Sequence, residues 1–215
     1  EMKRIDLSRK ELGLNGGAPV RSQPWADNFT TGEEEKAAVL RVLDSGYLSK
    51  FEGPHTPDPP FSFYGGPEIQ ALENEWCEYY GCRHAVSMNS ATSGLFAAMG
   101  ALGLGYGDEV IVSPYTMTAC ALAPMIYGAI PVFADVEEKT GCLDPDSIEK
   151  NITSRTRAIL VVHQFGIPAD MDRIMGLAKI YGLKVVEDCA QAPRAKYTGE
   201  FVGKRGDIGV FSLNV

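Results

Sequence analysis

No apolar run in this chain approaches the roughly 20 residues that a membrane-spanning helix requires, so no stretch of it reads as a transmembrane segment. Positive charge is in deficit, with 20 Lys and Arg against 28 Asp and Glu and a formal net charge of −8. A chain of that balance has no basic face to hold a phosphate backbone, which argues against nucleic acid as a partner. Histidine is scarce: His55, His84 and His163 are the three present. None forms an HxxxH or HExxH pair, so no zinc site is expected. There is no CxxC, and the five cysteines, at 77, 82, 120, 142 and 189, are odd in number and scattered. They read as free thiols, mostly packing, in a reducing cytoplasm rather than as a disulfide framework. A GxSxG motif is also absent, and no histidine pairs with a nucleophilic Ser or Cys, which leaves a hydrolase triad without support. The opening Glu1-Met2-Lys3-Arg4 has no apolar segment behind it and does not read as a signal peptide.

What is present is an ordinary globular composition, 45% hydrophobic and 22% charged over 215 residues. That length can bury a real core in one large domain or two small ones. Residues 1–64 read as an irregular arm, a helix and a Pro-rich loop. Thr31 is placed to cap the helix, which runs to Asp44 with Glu33, Glu34 and Glu35 in its first turn. Gly53 to Pro60 continues neither helix nor sheet. Pro67 suits a helix start, Ile69, Leu72, Trp76 and Tyr79 or Tyr80 form one stripe, and Gly81 is a natural stop.

From residue 85 onward, strand-like and helix-like segments alternate. Strands are expected at 85–88, 109–113, 130–134, 158–162, 184–187 and 208–213. Helices are expected at 92–102, 118–127 with a kink at Pro124, 145–152 capped by Asp144, and 171–181. Such interleaving implies crossovers and a largely parallel sheet. The chain stops at Val215 straight after a strand, which reads as the N-terminal part of a longer polypeptide.

Two segments stand out chemically. Lys184-Val185-Val186-Glu187-Asp188 is an apolar run ending on an acid, and ligands of open α/β sheets sit beyond the carboxyl ends of strands. Asp188 there is a metal ligand, a ribose or ring-nitrogen partner, a general base, a surface acid or a cap. Gln191 faces the same pocket or solvent. Ser90-Ala91-Thr92-Ser93-Gly94 joins a strand to a helix, and is either an anion cradle or an ordinary helix cap. His163 follows another apolar strand, and a lone histidine there is read first as a hydrogen-bonded residue packing near the sheet edge. Ser212 lies in an apolar strand, where a buried hydroxyl needs backbone or a ligand as partner. Gly103-Leu104-Gly105-Tyr106-Gly107 is not a dinucleotide fingerprint, because it follows a helix and precedes a strand, the reverse of the required order.

The order and spacing of these segments resemble the DegT/DnrJ/StrS family of pyridoxal-phosphate sugar aminotransferases, within the aspartate-aminotransferase-like type I fold. The resemblance is carried by Asn89-Ser90-Ala91-Thr92-Ser93, Gly107 to Val112, Pro114-Tyr115-Thr116-Met117-Thr118, Gly128 to Asp135, Val162-His163-Gln164-Phe165-Gly166, Glu187 to Ala192 and Gly206 to Ser212. It runs from about residue 65 to the end and implies that 65–215 is the cofactor-binding large domain. The implied architecture is a mostly parallel seven-stranded sheet sandwiched by helices, with a small C-terminal domain beyond this chain.

The resemblance also implies roles. Ala91 and Thr92 would hold the phosphate of pyridoxal 5'-phosphate, and Ser212 would add a contact to it. Asp188 would pair with the pyridine nitrogen and Gln191 with the phenolic oxygen. His163 would lie near the pocket. Met117 stands where the family usually places an aromatic over the cofactor ring. Arg194 either meets an anionic substrate group or sits on the surface. The catalytic lysine of the family follows the serine at Ser212 by a few residues, beyond Val215. The implied reaction is amino transfer from glutamate or glutamine to a keto-sugar, nucleotide-linked, in a homodimer. The rivals are a sugar dehydratase on the same scaffold, with histidine at the lysine position, and a non-catalytic regulator that kept the fold.

Overall fold

The computed structural model describes residues 8–24, 26, 30–49, 51 and 64–214. The Pro-rich stretch 53–60 lies outside the described residues. The chain divides into two compact units, residues 1–48 and 49–214.

In the first unit, a short 3-10 turn spans Gly13–Asn15 and helix α1 spans Glu33–Asp44. Glu33, Glu34 and Glu35 fill the first turn of α1, where carboxylates complement the helix dipole. The cap is Gly32 rather than the expected Thr31. Glu35 reaches back to accept the Gly32 N–H at 2.6 Å, the half of a capping box that needs no cap side chain.

The second unit opens with α2 (Pro67–Tyr80), which has proline in its first turn and ends at Gly81 with φ 66°. A left-handed residue after a helix favours glycine because it has no Cβ. Then follow α3 (Ala91–Ala101), β1 (Glu109–Val112), α4 (Ala119–Met125), β2 (Ile130–Phe133), α5 (Pro145–Asn151), β3 (Thr156–Val162), α6 (Met171–Tyr181), β4 (Lys184–Asp188), β5 (Lys196–Tyr197), β6 (Glu200–Phe201) and β7 (Ile208–Val210). The helix α4 stops one residue after Pro124, whose ring removes an N–H from the ladder.

Five strands form one parallel sheet in the order β2-β1-β3-β4-β7. Seven strands were expected; among the described residues this chain contributes five to the main sheet. The segment 85–88 is not one of them. The N–H and hydroxyl of Ser87 are both taken by the Glu73 carboxylate, at 2.7 and 2.9 Å, so α2 holds this segment through a side chain. The strand β7 is also shorter than expected and ends at Val210. Beyond it, Phe211 leaves the ladder to pack against Trp76 and Tyr80 of α2, with ring centroids 5.3 and 4.7 Å away.

The central strands β1, β3 and β4 are buried on both faces, as parallel sheets require. Val110, Val112, Leu160, Val162, Val186 and Val210 point to the side covered by α3 and α4. Ile111, Ile159, Val161 and Val185 point to the side covered by α5 and α6. Side chains alternate between the two faces along each strand. Leu160 is fully buried at the centre, so Leu160→Ala should cost about 2–5 kcal/mol of stability, read as a lowered denaturant midpoint in equilibrium unfolding.

One element was not expected from the sequence. The strands β5 and β6 pair antiparallel across Thr198 and Gly199, at φ 50° and 92°. Two consecutive left-handed residues are what a tight hairpin turn needs.

Candidate functional site

The described loops that follow β1, β3, β4 and β7 all leave the same carboxyl edge of the sheet. Asp188 is the last residue of β4 and is 6% exposed. Its Oδ1 accepts the N–H of Ala190 at 3.0 Å and its Oδ2 accepts the Cys120 thiol at 3.2 Å. Among the described residues no cation pairs with this carboxylate. Burial pushes the Cys120 thiol up, and the neighbouring Asp188 pushes it further in the same direction. The thiol therefore stays protonated and remains a donor.

Met117 lies just ahead of α4, and its carbonyl accepts the Cys120 N–H at 3.2 Å. Its side chain is largely exposed. The structure thus brings Met117 to within one helical turn of the residue that touches Asp188.

The N-terminus of α3 reaches the same edge through β7. Val210 pairs in register with Asp188, and a Cβ added to Gly94 would lie 3.0 Å from Val210 Cγ1. Glycine at 94 therefore lets α3 approach β7 closely. At the helix start, the Ser90 hydroxyl accepts the Ser93 N–H at 3.1 Å. The N–H groups of Ala91 and Thr92 belong to the first turn and have no acceptor inside the helix, the usual arrangement of an anion cradle. Ser212 lies two residues beyond Val210, half-buried, and its hydroxyl accepts the Asn214 N–H at 3.1 Å.

Gln191 is exposed in the loop after β4, and its Oε1 accepts the Phe165 N–H at 3.0 Å. With the oxygen engaged, the amide end left for a ligand is the NH2 donor. Phe165 donates from a left-handed conformation, φ 50°, uncommon for a non-glycine residue. The adjacent Gln164 is buried, and its Nε2 donates to the Tyr115 carbonyl at 3.0 Å. The turn 164–166 thereby ties the loops after β1, β3 and β4 together. The Oε1 of Gln164 is buried with no partner among the described residues, an acceptor suited to a polar group of a bound molecule.

His163 is not brought to this side. Asp188 and Glu187 are neighbours in β4 and face opposite ways, and His163 belongs with Glu187. His163 Nδ1 accepts the Ala169 N–H at 3.1 Å, which leaves Nε2 to donate to Glu187 Oε2 at 2.9 Å. Both residues are fully buried. Glu187 also accepts N–H groups from Gly203, Arg205 and Gly206, at 2.8, 2.8 and 2.6 Å. Burial alone would push its carboxyl up, but the hydrogen bonds from His163, Gly206 and Gly203 outweigh that and hold it below the usual carboxylate range. His163, Glu187 and Cys189 place possible metal-binding atoms within 4.8 Å of one another. The two His163 nitrogens and the Glu187 oxygens are already committed to protein hydrogen bonds, so this trio acts as an internal brace.

Arg194 is exposed. Its neighbour Pro193 offers its carbonyl to the Tyr80 hydroxyl of α2, which anchors the far end of the loop after β4. Sequence reasoning passed over Cys120, Glu187 and Gln164. The available signals were an acid inside an apolar strand and a cysteine one turn after Met117.

Among the described residues, no helix is long and apolar enough to cross a membrane. The DegT/DnrJ/EryC1/StrS aminotransferase family model matches residues 61–214. The chain is 41% identical to the spore coat polysaccharide biosynthesis protein SpsC of Bacillus subtilis, over 85% of this chain and 43% of that protein. It is 37% identical to the L-glutamine:2-deoxy-scyllo-inosose aminotransferase of Streptomyces lividus, over 95% of this chain and 46% of that protein. It superposes on the aminotransferase from Psychrobacter cryohalolentis with a TM-score of 0.77 at 39% identity, over 87% of this chain and 44% of the other. The chain spans less than half the length of these relatives. With the type I large-domain sheet and helices in place, the chain belongs to the DegT/DnrJ/EryC1/StrS aminotransferase family.

Proposed function

We propose that this chain carries the cofactor-binding part of a pyridoxal-phosphate-dependent aminotransferase that moves an amino group from glutamine or glutamate to a keto-sugar. The observation that carries the reading is Asp188: a buried carboxylate at the sheet's carboxyl edge, held by a thiol and one backbone N–H, with no cation beside it among the described residues. A buried charge left unpaired is costly, and a protonated pyridine nitrogen is a fitting partner. When bound, the cofactor supplies an electron sink for the carbanion formed at the amino-bearing carbon.

The chain's own residues have separable tasks. Asp188 keeps the ring nitrogen protonated. The α3 N-terminus at Ala91 and Thr92, with Ser212, would hold the phosphate. Gln191, its oxygen fixed by Phe165, donates to the phenolic oxygen. Met117, in place of the usual aromatic, would offer the ring a polarisable thioether. Asp188 sits on β4 rather than on a free loop, which preorganises its carboxylate. His163 acts from a distance, by fixing Glu187 and hence the end of β4.

The donor and acceptor are read by analogy with the Streptomyces lividus relative, whose name gives glutamine and 2-deoxy-scyllo-inosose. We take the acceptor to be a nucleotide-linked keto-sugar, and the working unit to be a homodimer in a reducing cytoplasm. Exposed Leu122, Met125 and Ile126 near α4, with Ile130 and Phe133 on edge strand β2, support a second copy covering that side. All five cysteines are free, in keeping with such a compartment.

The test uses the full-length gene product. It is loaded with pyridoxal phosphate, reduced with borohydride and mapped by mass spectrometry, and a second sample is assayed with glutamine and keto-sugars. A pyridoxyl-lysine a few residues after Ser212, together with amino transfer, is the expected result. Bound cofactor without a covalent adduct, histidine at that place and sugar dehydration would replace the reading with the dehydratase. No binding of the cofactor would overturn it altogether and leave a regulator with this fold.

A further inference from the structure

We propose that Cys120 is a positioning residue for Asp188, its thiol fixing the carboxylate so that one orientation meets the pyridine nitrogen of the bound cofactor. The inference rests on the cofactor reading above. It starts from a contact between residues 68 positions apart: the Cys120 thiol donates to Asp188 Oδ2 at 3.2 Å. Cys120 is fully buried and Asp188 is 6% exposed, so solvent does not compete for the contact.

The two carboxylate oxygens are held from different elements. The Ala190 N–H, in the loop after β4, holds Oδ1 at 3.0 Å. The thiol, in the first turn of α4, holds Oδ2. Two donors from separate directions define the plane of a carboxylate that one donor would leave free to rotate. A thiol has a single proton, and here Asp188 takes it. The neighbouring Thr116 hydroxyl, 3.9 Å from the sulfur, is therefore the donor in that contact. The result is a relay of donors from Thr116 to Cys120 to Asp188. The same turn carries Met117, whose carbonyl accepts the Cys120 N–H. Cys120 thus couples the residue that covers the ring to the acid that meets its nitrogen.

A role in packing alone makes the opposite forecast. Cys120 belongs to the apolar cluster of α3, α4 and the sheet, where alanine or valine should be tolerated better than serine. A positioning role reverses the order, because serine keeps a donor and alanine does not. In the full-length protein, Cys120→Ala is expected to lower kcat on the order of tenfold, the scale of one hydrogen bond to a charged group, with KM for the amino donor within about twofold. Cys120→Ser is expected to recover most of that loss.

The second readout needs no turnover. The infrared S–H stretching band of Cys120, identified by its loss in Cys120→Ser, should move to higher frequency when pyridoxal phosphate is added. The pyridinium then draws on the carboxylate and weakens the S–H···O bond. Inorganic phosphate alone should leave the band in place. A band that stays put while the cofactor's own absorption shows it bound would overturn the role of Cys120 and leave the cofactor reading intact, as would Ala outperforming Ser. Failure of the cofactor to bind would overturn both. If Cys120→Ala does not fold, the band in the parent protein still decides the question.

Discussion

Asp188→Asn in the full-length protein is expected to lower kcat for amino transfer by roughly 10²–10³-fold, the scale seen when one preorganised electrostatic partner is removed. Asparagine has the shape of aspartate and keeps one acceptor, for the Ala190 N–H, while its NH2 takes the place of the oxygen that met the Cys120 thiol and makes the sulfur an acceptor there. What it loses is the negative charge that would keep the pyridine nitrogen protonated. The fold should survive, because the variant removes a buried charge that has no cation beside it among the described residues and leaves the packing of β4 against β3 and β7 unchanged. Stopped assays of kcat beside thermal melts of the cofactor-free protein separate the two effects. A variant that turns over at the parent rate would remove Asp188 from the mechanism and, with it, the main support for the proposed function.

Glu187→Ala is expected to do the converse and act on stability. Glu187 is the acceptor for His163 and for three backbone N–H groups between residues 203 and 206. Removing it leaves one fully buried donor, on His163, and three half-buried N–H groups without their acceptor, and breaking a buried polar pair of this kind costs about 3–5 kcal/mol. For a chain of this size the melting temperature should fall on the order of 10 °C.

The pH dependence follows from the direction of the shift. The folded-state pKa of Glu187 is held below its usual value. Its contribution to stability is therefore present above the unfolded glutamate pKa of about 4.3 and is lost as pH falls through the lower folded value. Glu187→Gln should flatten that part of the acid unfolding curve. Melting the parent and both variants across the acid range checks this, and an unchanged acid slope in Glu187→Gln would show that other carboxylates govern it.

The placement of Glu187 and Asp188 shows how far the sequence could be read. That an apolar run ends in acid at residues 187 and 188 is a local fact, and the expectation of a site at the end of that strand needed no tertiary information. Helix ends were legible for the same reason. Pro67, Gly81 and Asp144 act through bonds and dihedrals within a few residues, and the structure puts helix boundaries at each. The hairpin at 196–201 had its signal in Thr198-Gly199, but two-residue strands carry no periodicity to draw attention to it. The segment 85–88 misled because a short apolar run can satisfy its N–H groups through a side chain, here Glu73, as well as through a neighbouring strand.

The amino-acid sequence by itself determined the alternation of strands and helices, the acid at the end of β4, and the small-residue start of α3, because each depends on near neighbours along the chain. Which face of the sheet each of the two adjacent acids takes, and which partners it meets there, was decided only by the tertiary structure. In a strand buried on both faces there is no polar-apolar alternation to mark one side. The register of β4 between β3 and β7 sets the parity, and α4 then brings Cys120 to Asp188 while the opposite face brings His163 to Glu187. Those partners lie 68 and 24 residues away in the chain, so only packing the helices onto opposite faces of the sheet could give one acid a place at the site and the other a place in the brace.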